Sequence, residues 1–288
     1  MEKLQNDLKQ ILEKLELDIN KAEQLKREED DSFYDVWKVI SNDKEYILKI
    51  TDELEILNYE NYLSKLNRGV PKLYKKINYN NKWYILIDYF KGNNLCKATK
   101  ENLKKVLDEL IRIQDIYWNS PIDKQYNQSL ESRINRGKYL KNELINSEYQ
   151  KFLSFYKQTP LTLCHDDLLP FNVLCNDDNA CLIDWGHAGI LPYPTPIVRL
   201  IAHGKDDEEY LFYMKEEDKE FVINYYYDNF IKNKNIDYDT YINIINYFLL
   251  YEYCEWIMLG EKHNNLDSDM YKEYCNKALT HINNKLLK

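Results

Sequence analysis

The sequence lacks an excess of basic residues, and this absence limits its partners. Its 288 residues include 39 Lys and Arg against 48 Asp and Glu, which gives a formal net charge of −9. A protein that binds nucleic acid needs a basic surface to neutralise phosphates, so we expect no nucleic-acid partner. The acidic balance fits a small cationic substrate, and it fits equally well a protein whose charge serves solubility alone.

The six cysteines lack the C-x-x-C spacing of zinc and redox sites. Several of them lie inside apolar runs, so we predict buried thiols in a reducing cytoplasm. A zinc site built from Cys164, His165 and Cys175 is the alternative, and it is disfavoured because the spacing does not match known zinc sites.

Long uninterrupted apolar runs are also missing. The longest apolar stretch, 244–259, is interrupted by Asn246, Glu252 and Glu255, which argues against a membrane span. Charged and apolar residues alternate over 1–14, so we expect no signal peptide. With 44% hydrophobic and 30% charged residues, the composition predicts a soluble protein of one large or two moderate domains. We expect a cytoplasmic monomer.

Three short apolar strands between Leu161 and Gly189 each end in polar side chains. Asp167 and Asn172 lie on one loop, and Asp184 follows 17 residues after Asp167, enough for a small hairpin to bring it back. Phosphoryl transfer from ATP to an alcohol needs a carboxylate that accepts the hydroxyl proton and oxygen ligands for Mg²⁺. We therefore predict Asp167 as the base and Asn172 and Asp184 as metal ligands. An acidic hairpin without chemistry is the alternative.

These motifs resemble those of the aminoglycoside phosphotransferase and choline kinase superfamily. The family pattern H-G-D-x-x-x-x-N reads HDDLLPFN at 165–172, with Asp166 in place of glycine, and I-D-(W/F/L)-x-x-A-G reads IDWGHAG at 183–189. In the family motif the histidine, here His165, holds the backbone of the loop and transfers no proton.

The resemblance implies an α+β, protein-kinase-like fold with two lobes. We expect a small antiparallel-sheet lobe over 1–90 that binds nucleotide, and a larger, mostly helical lobe over 91–288 that carries catalysis and the acceptor. The strand at 46–49 occupies the place of the family's phosphate-pairing lysine, so the resemblance assigns Lys49 to the α- and β-phosphates. An exposed strand lysine is the alternative.

The helix predicted at about 52–66 would supply a glutamate that holds Lys49 toward the nucleotide. Glu60 is our first choice and Glu55 the second. The loop that would cover the phosphates, EEDDSFYD at 28–35, lacks the glycines of a G-x-G-x-x-G cover. Ser32 is the candidate phosphate contact there, although the acidic run beside it would repel a triphosphate unless its side chains point outward.

Residues 84–92 resemble the family's lobe connection, whose backbone binds adenine. The carbonyl of Asp88 and the amide of Phe90 would then contact the base, with Ile47 and Leu174 on its two faces.

Tyr-rich helices are predicted at 208–232, 239–260 and 268–287, and in this family such helices form the acceptor pocket. Aromatic faces and carboxylates suit a polyamine or a quaternary amine. Glu252, Glu255 and Trp256 are the candidate acceptor residues. The alternative places Trp256 in the core and the two glutamates in water.

Two further expectations concern packing. The first helix, 1–17, has an apolar stripe that we expect to pack on the following strands, and a partner-binding helix is the alternative. The stripe consists of Leu4, Leu8, Ile11, Leu12 and Leu15. Thr195 stands in the region where family members place an aspartate that braces the catalytic loop.

We therefore expect an ATP-dependent O-phosphotransferase that acts on a small cationic acceptor. An aminoglycoside antibiotic is the leading acceptor, which would make the protein a resistance enzyme, and a kinase for choline, ethanolamine or a similar amino alcohol is the alternative. A nucleotide-binding pseudokinase is favoured by the glycine-free acidic loop and opposed by the set Lys49, Asp167, Asn172 and Asp184. Mg²⁺ and ATP are the expected cofactor and co-substrate, and GTP in place of ATP stays open.

Overall fold

The computed structural model describes residues 2–27 and 32–287. The chain forms two compact units, Met1–Asn93 with Leu174–His187, and Asn94–Val173 with Ala188–Lys288. The expected assignment of 1–90 to nucleotide binding and of 91–288 to catalysis stays a prediction.

The first unit contains a five-stranded antiparallel sheet in the order β1-β2-β3-β5-β4. In chain order its elements are helix α1 (Glu2–Lys14), strands β1 (Ile19–Lys26), β2 (Phe33–Ser41) and β3 (Lys44–Thr51), helix α2 (Glu53–Asn61), and strands β4 (Leu73–Tyr79) and β5 (Lys82–Asp88). The turns at Asn42–Asp43 and Asn80–Asn81 have positive φ values of 49° to 61°, which asparagine and aspartate tolerate better than other side chains.

Helix α1 packs its apolar stripe against this sheet. Ile11 and Leu12, together with Leu15 just after the helix, join a buried cluster with sheet residues that include Trp37 and Leu48. The stripe is therefore part of the core of the first unit, as predicted. The side chain of Leu4 lies outside the described part of the chain.

The rest of the chain is mostly helical. Its elements are β6 (Asn93–Asn94), α3 (Lys100–Ile116), α4 (Lys124–Gly137), α5 (Glu143–Gln158), β7 (Leu161–Cys164), β8 (Val173–Cys175), β9 (Ala180–Leu182), β10 (Gly189–Pro192), α6 (Thr195–Ala202), α7 (Glu216–Asn229), α8 (Tyr238–Lys262) and α9 (Asp269–His281). Strands β7 and β10 pair antiparallel, and β6, β8 and β9 form a small sheet in the order β6-β8-β9. Of these strands, β9 and most of β8 belong to the Leu174–His187 part of the first unit.

Helix α8 lies at the centre of the second unit, where it packs on α5, α6 and α9. Phe152 of α5 stacks on Tyr251 of α8, with ring centroids 4.8 Å apart. Helix α4 ends at Gly137, and a Cβ atom at this glycine would lie 2.5 Å from the ring of Tyr149. The close approach of α4 and α5 therefore requires glycine.

One predicted helix boundary is wrong. We expected a helix from residue 208, but α7 begins at Glu216. The preceding segment instead bonds to the chain before α3, because the amide of Tyr213 donates to the carbonyl of Cys96 at 2.8 Å and the amide of Ala98 donates to the carbonyl of Tyr213 at 3.1 Å.

None of the helices within the described ranges is both long enough and apolar enough to cross a membrane. Five of the six cysteines are buried, and Cys275 is half-buried.

Candidate active site

Lys49 lies in the first unit between two carboxylates. Its ammonium group is 2.8 Å from Oε2 of Glu55 and 2.6 Å from Oδ1 of Asp184. The Lys49 side chain is 17% exposed and that of Glu55 only 2%. Burial alone would lower the pKa of Lys49, but the charges of Glu55 and Asp184 outweigh that effect and raise the pKa above its usual value. Lys49 is therefore a fixed positive charge at neutral pH.

The pairing of Lys49 with Glu60 that we put first is wrong. Glu60 binds Lys76 on β4, and its side chain is 44% exposed. Glu55, the second choice, is the partner of Lys49 because it lies in the first turn of α2, directly after the strand that carries Lys49. Glu60 follows five residues later, which at 3.6 residues per turn turns it to another face of the helix.

Helix α2 also holds the segment that carries Asp184. The side-chain amide of Asn58, three residues after Glu55 and on the same face, donates to the carbonyl of Trp185 at 2.8 Å. The Trp185 indole N–H donates to the carbonyl of Leu182 at 2.8 Å. Sequence reasoning missed Asn58, and the available signal was a polar residue at i+3 from Glu55 in an otherwise apolar stretch.

Asp184 itself has an unusual backbone conformation. Its φ is +64°, a region that costs an ordinary side chain on the order of 1 kcal/mol or more. Such residues cluster at functional sites, where the surrounding structure imposes them. The short 3₁₀ turn Trp185–His187 follows directly, and the bond from Asn58 holds its first residue.

In the second unit, Asp167 and Asn172 lie on one tight loop after β7. The Asn172 side-chain amide donates to the Asp167 carbonyl at 2.8 Å, and the Leu169 amide donates to the same oxygen at 2.8 Å. Pro170 begins the 3₁₀ turn that ends at Asn172. His165 is completely buried at the start of the loop, consistent with a structural role. The predicted base and one predicted metal ligand are therefore held together by the loop itself.

Arg199 of α6 binds the carboxylate of Asp167. Its Nε and Nη2 atoms lie 3.1 Å and 2.9 Å from Oδ1 of Asp167. Within the described residues no hydrogen bond engages Oδ2 of Asp167. Sequence reasoning missed Arg199, and the available signal was a single cation in the apolar helix TPIVRLIA. The predicted brace, Thr195, bonds instead to the carbonyl of Pro192, so Arg199 takes the bracing position.

Glu252 and Glu255 of α8 hold the other end of Arg199. Oε2 of each lies 2.9 Å from Nη1 of Arg199. Glu252 is buried, and Glu255 is 19% exposed. Burial would lower the pKa of Arg199, but Glu252, Glu255 and Asp167 outweigh it and raise that pKa. The alternative expectation that these glutamates face water is wrong, and their expected role in acceptor binding stays a prediction.

Asp166, which replaces the family's glycine, has its own buried partner. The guanidinium of Arg133 on α4 lies 2.7 Å from Oδ1 of Asp166 and is 3% exposed. It also lies over the rings of Tyr156 and Tyr251, at 5.0 Å and 4.5 Å. Ser129 donates to the other carboxylate oxygen at 3.2 Å. Asp166 therefore ties the loop at 165–172 to α4.

A cavity of about 320 Å³ adjoins this network within the second unit. Its wall includes the charged residues Arg199, Lys205 and Glu273 and the aromatic residues Trp256, Tyr274, Tyr210 and Phe212. The rings of Trp256 and Tyr274 are stacked with centroids 5.8 Å apart. The buried indole N–H of Trp256 has no hydrogen-bond partner within the described residues. The cavity is thus an aromatic-walled site that a ligand of modest size could fill.

The predicted nucleotide contacts lie on or near the sheet of the first unit. Ile47 and Leu174 are half-buried on β3 and β8. Asp88 ends β5, and its carboxylate accepts hydrogen bonds from the Tyr74 hydroxyl and the Lys72 amide. Phe90 follows just after the strand.

Ser32 is exposed, and its carbonyl accepts a bond from the amide of Arg27 at 2.7 Å. Residues 28–31, the acidic part of the expected phosphate loop, lie outside the described residues. Within those residues no group of three or more His, Cys, Asp and Glu is placed to hold a metal ion.

An antiparallel sheet with a buried lysine–glutamate pair, followed by a helical unit with an H-x-D-x-x-x-x-N loop, defines a phosphotransferase of the protein-kinase-like class. The chain belongs to the phosphotransferase enzyme family, whose sequence profile matches residues 27–210. The predictions of this family, of the α+β kinase-like fold and of a small-molecule kinase are confirmed.

Several solved structures share the fold. The choline kinase LicA of Streptococcus pneumoniae is 15% identical, with 97% of this chain and 99% of that one covered and a TM-score of 0.64. An amicoumacin kinase solved with AMP-PNP and Ca²⁺ is 15% identical, with coverage of 96% and 93% and a TM-score of 0.63. An aminoglycoside phosphotransferase of Streptomyces rimosus is 13% identical, with coverage of 80% and 91% and a TM-score of 0.50. No curated protein sequence matches the chain significantly.

Proposed function

We propose that the protein transfers the γ-phosphoryl group of Mg-ATP to a hydroxyl group of a small cationic acceptor. The observation that carries this proposal is the state of the Asp167 carboxylate. Arg199 occupies Oδ1, and Oδ2 has no hydrogen bond within the described residues, so one oxygen is held in place while the other is available to a hydroxyl proton.

Lys49 supports the nucleotide part of the proposal. An ammonium group has three N–H donors, and that of Lys49 lies within 3.0 Å of both carboxylate oxygens of Glu55 and of one oxygen of Asp184. A phosphate oxygen would share these donors with the two carboxylates. We assign Lys49 to the phosphates, with Glu55 in place of Glu60 as the residue that orients it. Ser32, Asp88, Phe90, Ile47 and Leu174 stay our candidates for the remaining nucleotide contacts.

Oxygen donors of the required type are present for a divalent cation. Because Nδ2 of Asn172 donates to the Asp167 carbonyl, the amide oxygen is the end left for a metal ion. Asp184 offers a carboxylate that is 53% exposed. Carboxylate and amide oxygens suit Mg²⁺, which keeps several waters and binds substrate phosphates as well. We assign Asn172 and Asp184 as ligands, and the amicoumacin kinase solved with AMP-PNP and Ca²⁺ fits nucleotide and divalent metal use.

The chain's own residues then divide the reaction among them. Bound Mg²⁺ would supply charge neutralisation on the phosphates. Lys49 holds a phosphate oxygen, and Oδ2 of Asp167 accepts the acceptor's hydroxyl proton as the acceptor oxygen bonds to the γ-phosphorus. The bond from that phosphorus to the β,γ-bridging oxygen breaks, and ADP leaves. Most of the rate gain comes from this positioning, since the transition state is loose and needs little covalent assistance.

For the acceptor, the geometry favours an amino alcohol such as choline or ethanolamine over the aminoglycoside that the sequence puts first. The two glutamates expected to take ammonium groups are already bound to Arg199. The neighbouring cavity, at about 320 Å³, lies at the small end of the roughly 300–1,000 Å³ range of ligand pockets. Its Trp256 and Tyr274 offer aromatic surface of the kind that binds quaternary ammonium groups, and the carboxylate of Glu273 lies in the same wall, together with the cations Arg199 and Lys205.

The test is an acceptor screen with purified protein. Mg-ATP is incubated with choline, ethanolamine and a panel of aminoglycosides, and each acceptor is examined by mass spectrometry for the gain of one phosphoryl group. We expect an amino alcohol to be phosphorylated by the native protein and not by Asp167→Ala.

Phosphorylation of an aminoglycoside alone would keep the phosphotransferase and overturn the acceptor class. Binding of Mg-ATP with no acceptor turned over would instead favour the pseudokinase alternative. Binding of Mg-ATP is measured separately by calorimetry with AMP-PNP.

A further inference from the structure

The two carboxylates on α8 touch no part of the catalytic loop directly, yet they are linked to it by one side chain. Glu252 and Glu255 each contact Nη1 of Arg199, while Nε and Nη2 of the same guanidinium contact Oδ1 of Asp167. The guanidinium is planar and rigid. Its contacts with Asp167 and its contacts with the two glutamates therefore depend on one and the same orientation. The position of the base is therefore coupled to helix α8.

We propose that Arg199 is a positioning residue that selects Oδ2 of Asp167 as the reacting oxygen, and that Glu252 and Glu255 act on turnover through Arg199. They would not act as ligands of the acceptor's ammonium group. This inference rests on the proposed function, because it concerns the base of that reaction.

Burial supports a fixed arrangement. Glu252 is 2% exposed, and the side chain of Arg199 is 17% exposed. His203, also buried, lies 3.3 Å from Oε2 of Glu252 and 2.7 Å from the Tyr274 hydroxyl. A buried ion pair has few alternative partners, because a charged group that moved away would be left buried without an opposite charge. The arrangement resists rotation of the guanidinium.

The charges around Arg199 give a second reason to expect that its orientation is fixed. Arg199 is one cation among three carboxylates, those of Asp167, Glu252 and Glu255. Arg136 on α4 also binds Glu255, and the Tyr251 hydroxyl donates to that glutamate at 2.5 Å. Burial would raise the pKa of Glu255, but the charges of Arg199 and Arg136 outweigh it and lower that pKa. Glu255 therefore stays ionised and keeps Arg199 aligned.

Two interpretations of Glu252 and Glu255 make opposite kinetic predictions. If they bind the acceptor, their loss weakens acceptor binding and raises KM. If they position Arg199, their loss leaves KM unchanged and lowers kcat, since a small displacement of a reacting group costs up to about 100-fold in rate.

The experiment measures kcat and KM for choline and for kanamycin at saturating Mg-ATP, and also the rate of ATP hydrolysis with water as acceptor. We expect Glu252→Gln and Glu255→Gln each to lower kcat by about tenfold, the equivalent of one charge-assisted hydrogen bond. We expect the acceptor KM to change by less than about twofold. Arg199→Met should lower kcat by about 100-fold.

Two variants separate positioning from simple stability. Arg199→Lys keeps the positive charge but loses the planar guanidinium that contacts Asp167 and the two glutamates at once. Compared with Arg199→Met, we expect it to restore thermal stability but not kcat. Glu261→Gln is the matched control. Glu261 is a buried glutamate on the same helix, it is ion-paired to Lys141, and it has no contact with Arg199. We expect this control to leave kcat unchanged.

An acceptor KM raised about tenfold with kcat preserved in Glu252→Gln or Glu255→Gln would overturn the positioning role, and so would full recovery of kcat in Arg199→Lys. A native protein that turns over neither acceptors nor water would instead mean that the proposed function has failed.

Discussion

Replacing Glu55 by glutamine should disable the lysine that we assign to the phosphates. The substitution keeps the size of the side chain and removes its charge. Glu55 is 2% exposed and Lys49 17% exposed, so solvent screens their attraction poorly. Asp184, the other partner of Lys49, is also an assigned metal ligand. When Asp184 binds metal, Lys49 depends on Glu55 for its orientation.

The size of the effect follows from the interaction that the substitution removes. A hydrogen bond to a charged group contributes about 1.5–3 kcal/mol, and 1.4 kcal/mol corresponds to a tenfold change. We therefore expect kcat/KM for ATP to fall by about 10- to 100-fold in Glu55→Gln. Initial rates of ADP formation across a range of ATP concentrations measure this, and calorimetric titration with AMP-PNP gives the affinity separately.

Glu60→Gln is the control from the same helix. Glu60 and Lys76 are 44% and 38% exposed, and exposed ion pairs contribute at most about 1 kcal/mol, or about fivefold. Since Glu60 does not touch Lys49, we expect kcat/KM to stay near the native value. Equal losses in the two variants, or no loss in Glu55→Gln, would refute the assignment of Glu55.

Three other outcomes are expected. Gly137→Ala should lower the free energy of unfolding by about 1–3 kcal/mol in urea denaturation, because its Cβ would lie 2.5 Å from the buried ring of Tyr149, and an unchanged midpoint would contradict this close packing. Burial and the charge of Lys219 lower the pKa of Lys277 from 10.5 to about 8. Between about pH 8 and pH 10.5 the unfolded chain therefore binds more protons than the folded chain, so the free energy of unfolding rises with pH. The stability of the native protein relative to Lys277→Met should increase by about 2 kcal/mol from about pH 7.5 to about pH 9.5, and a flat or falling difference would contradict the lowered pKa. Arg133→Met should destabilise the protein by about 3–5 kcal/mol because it leaves Asp166 without its buried partner, and thermal unfolding should show that adding Asp166→Gly restores much of the loss.

Features of the fold that depend on neighbouring residues are predictable from the sequence. The turns at Asn42–Asp43 and Asn80–Asn81 follow from residues that tolerate positive φ. The stripe of α1 and the end of α4 at Gly137 follow from local periodicity and from a single glycine. The loop that joins Asp167 to Asn172 is recognisable because both residues lie within one short motif.

Contacts between distant segments are not predictable in this way. Asn58 and Trp185 are separated by 127 positions, and Arg199 and Glu252 by 53, so nothing in either local sequence indicates its partner. For the same reason the sequence gives no sign that Glu252 and Glu255 bind Arg199. The choice of Glu55 over Glu60 depends instead on where α2 begins, because the first turn after β3 brings Glu55 to Lys49 and places Glu60 on another face of the helix.

The central claim is that Asp167 is the base of a phosphoryl transfer, and Asp167→Asn tests it most directly. The amide keeps the shape of the side chain and cannot accept the hydroxyl proton. In single-turnover experiments with Mg-ATP and an acceptor that the native protein phosphorylates, we predict a rate lower by about 100- to 10,000-fold with unchanged affinity for AMP-PNP. A rate within about tenfold of the native value would contradict general-base catalysis by Asp167.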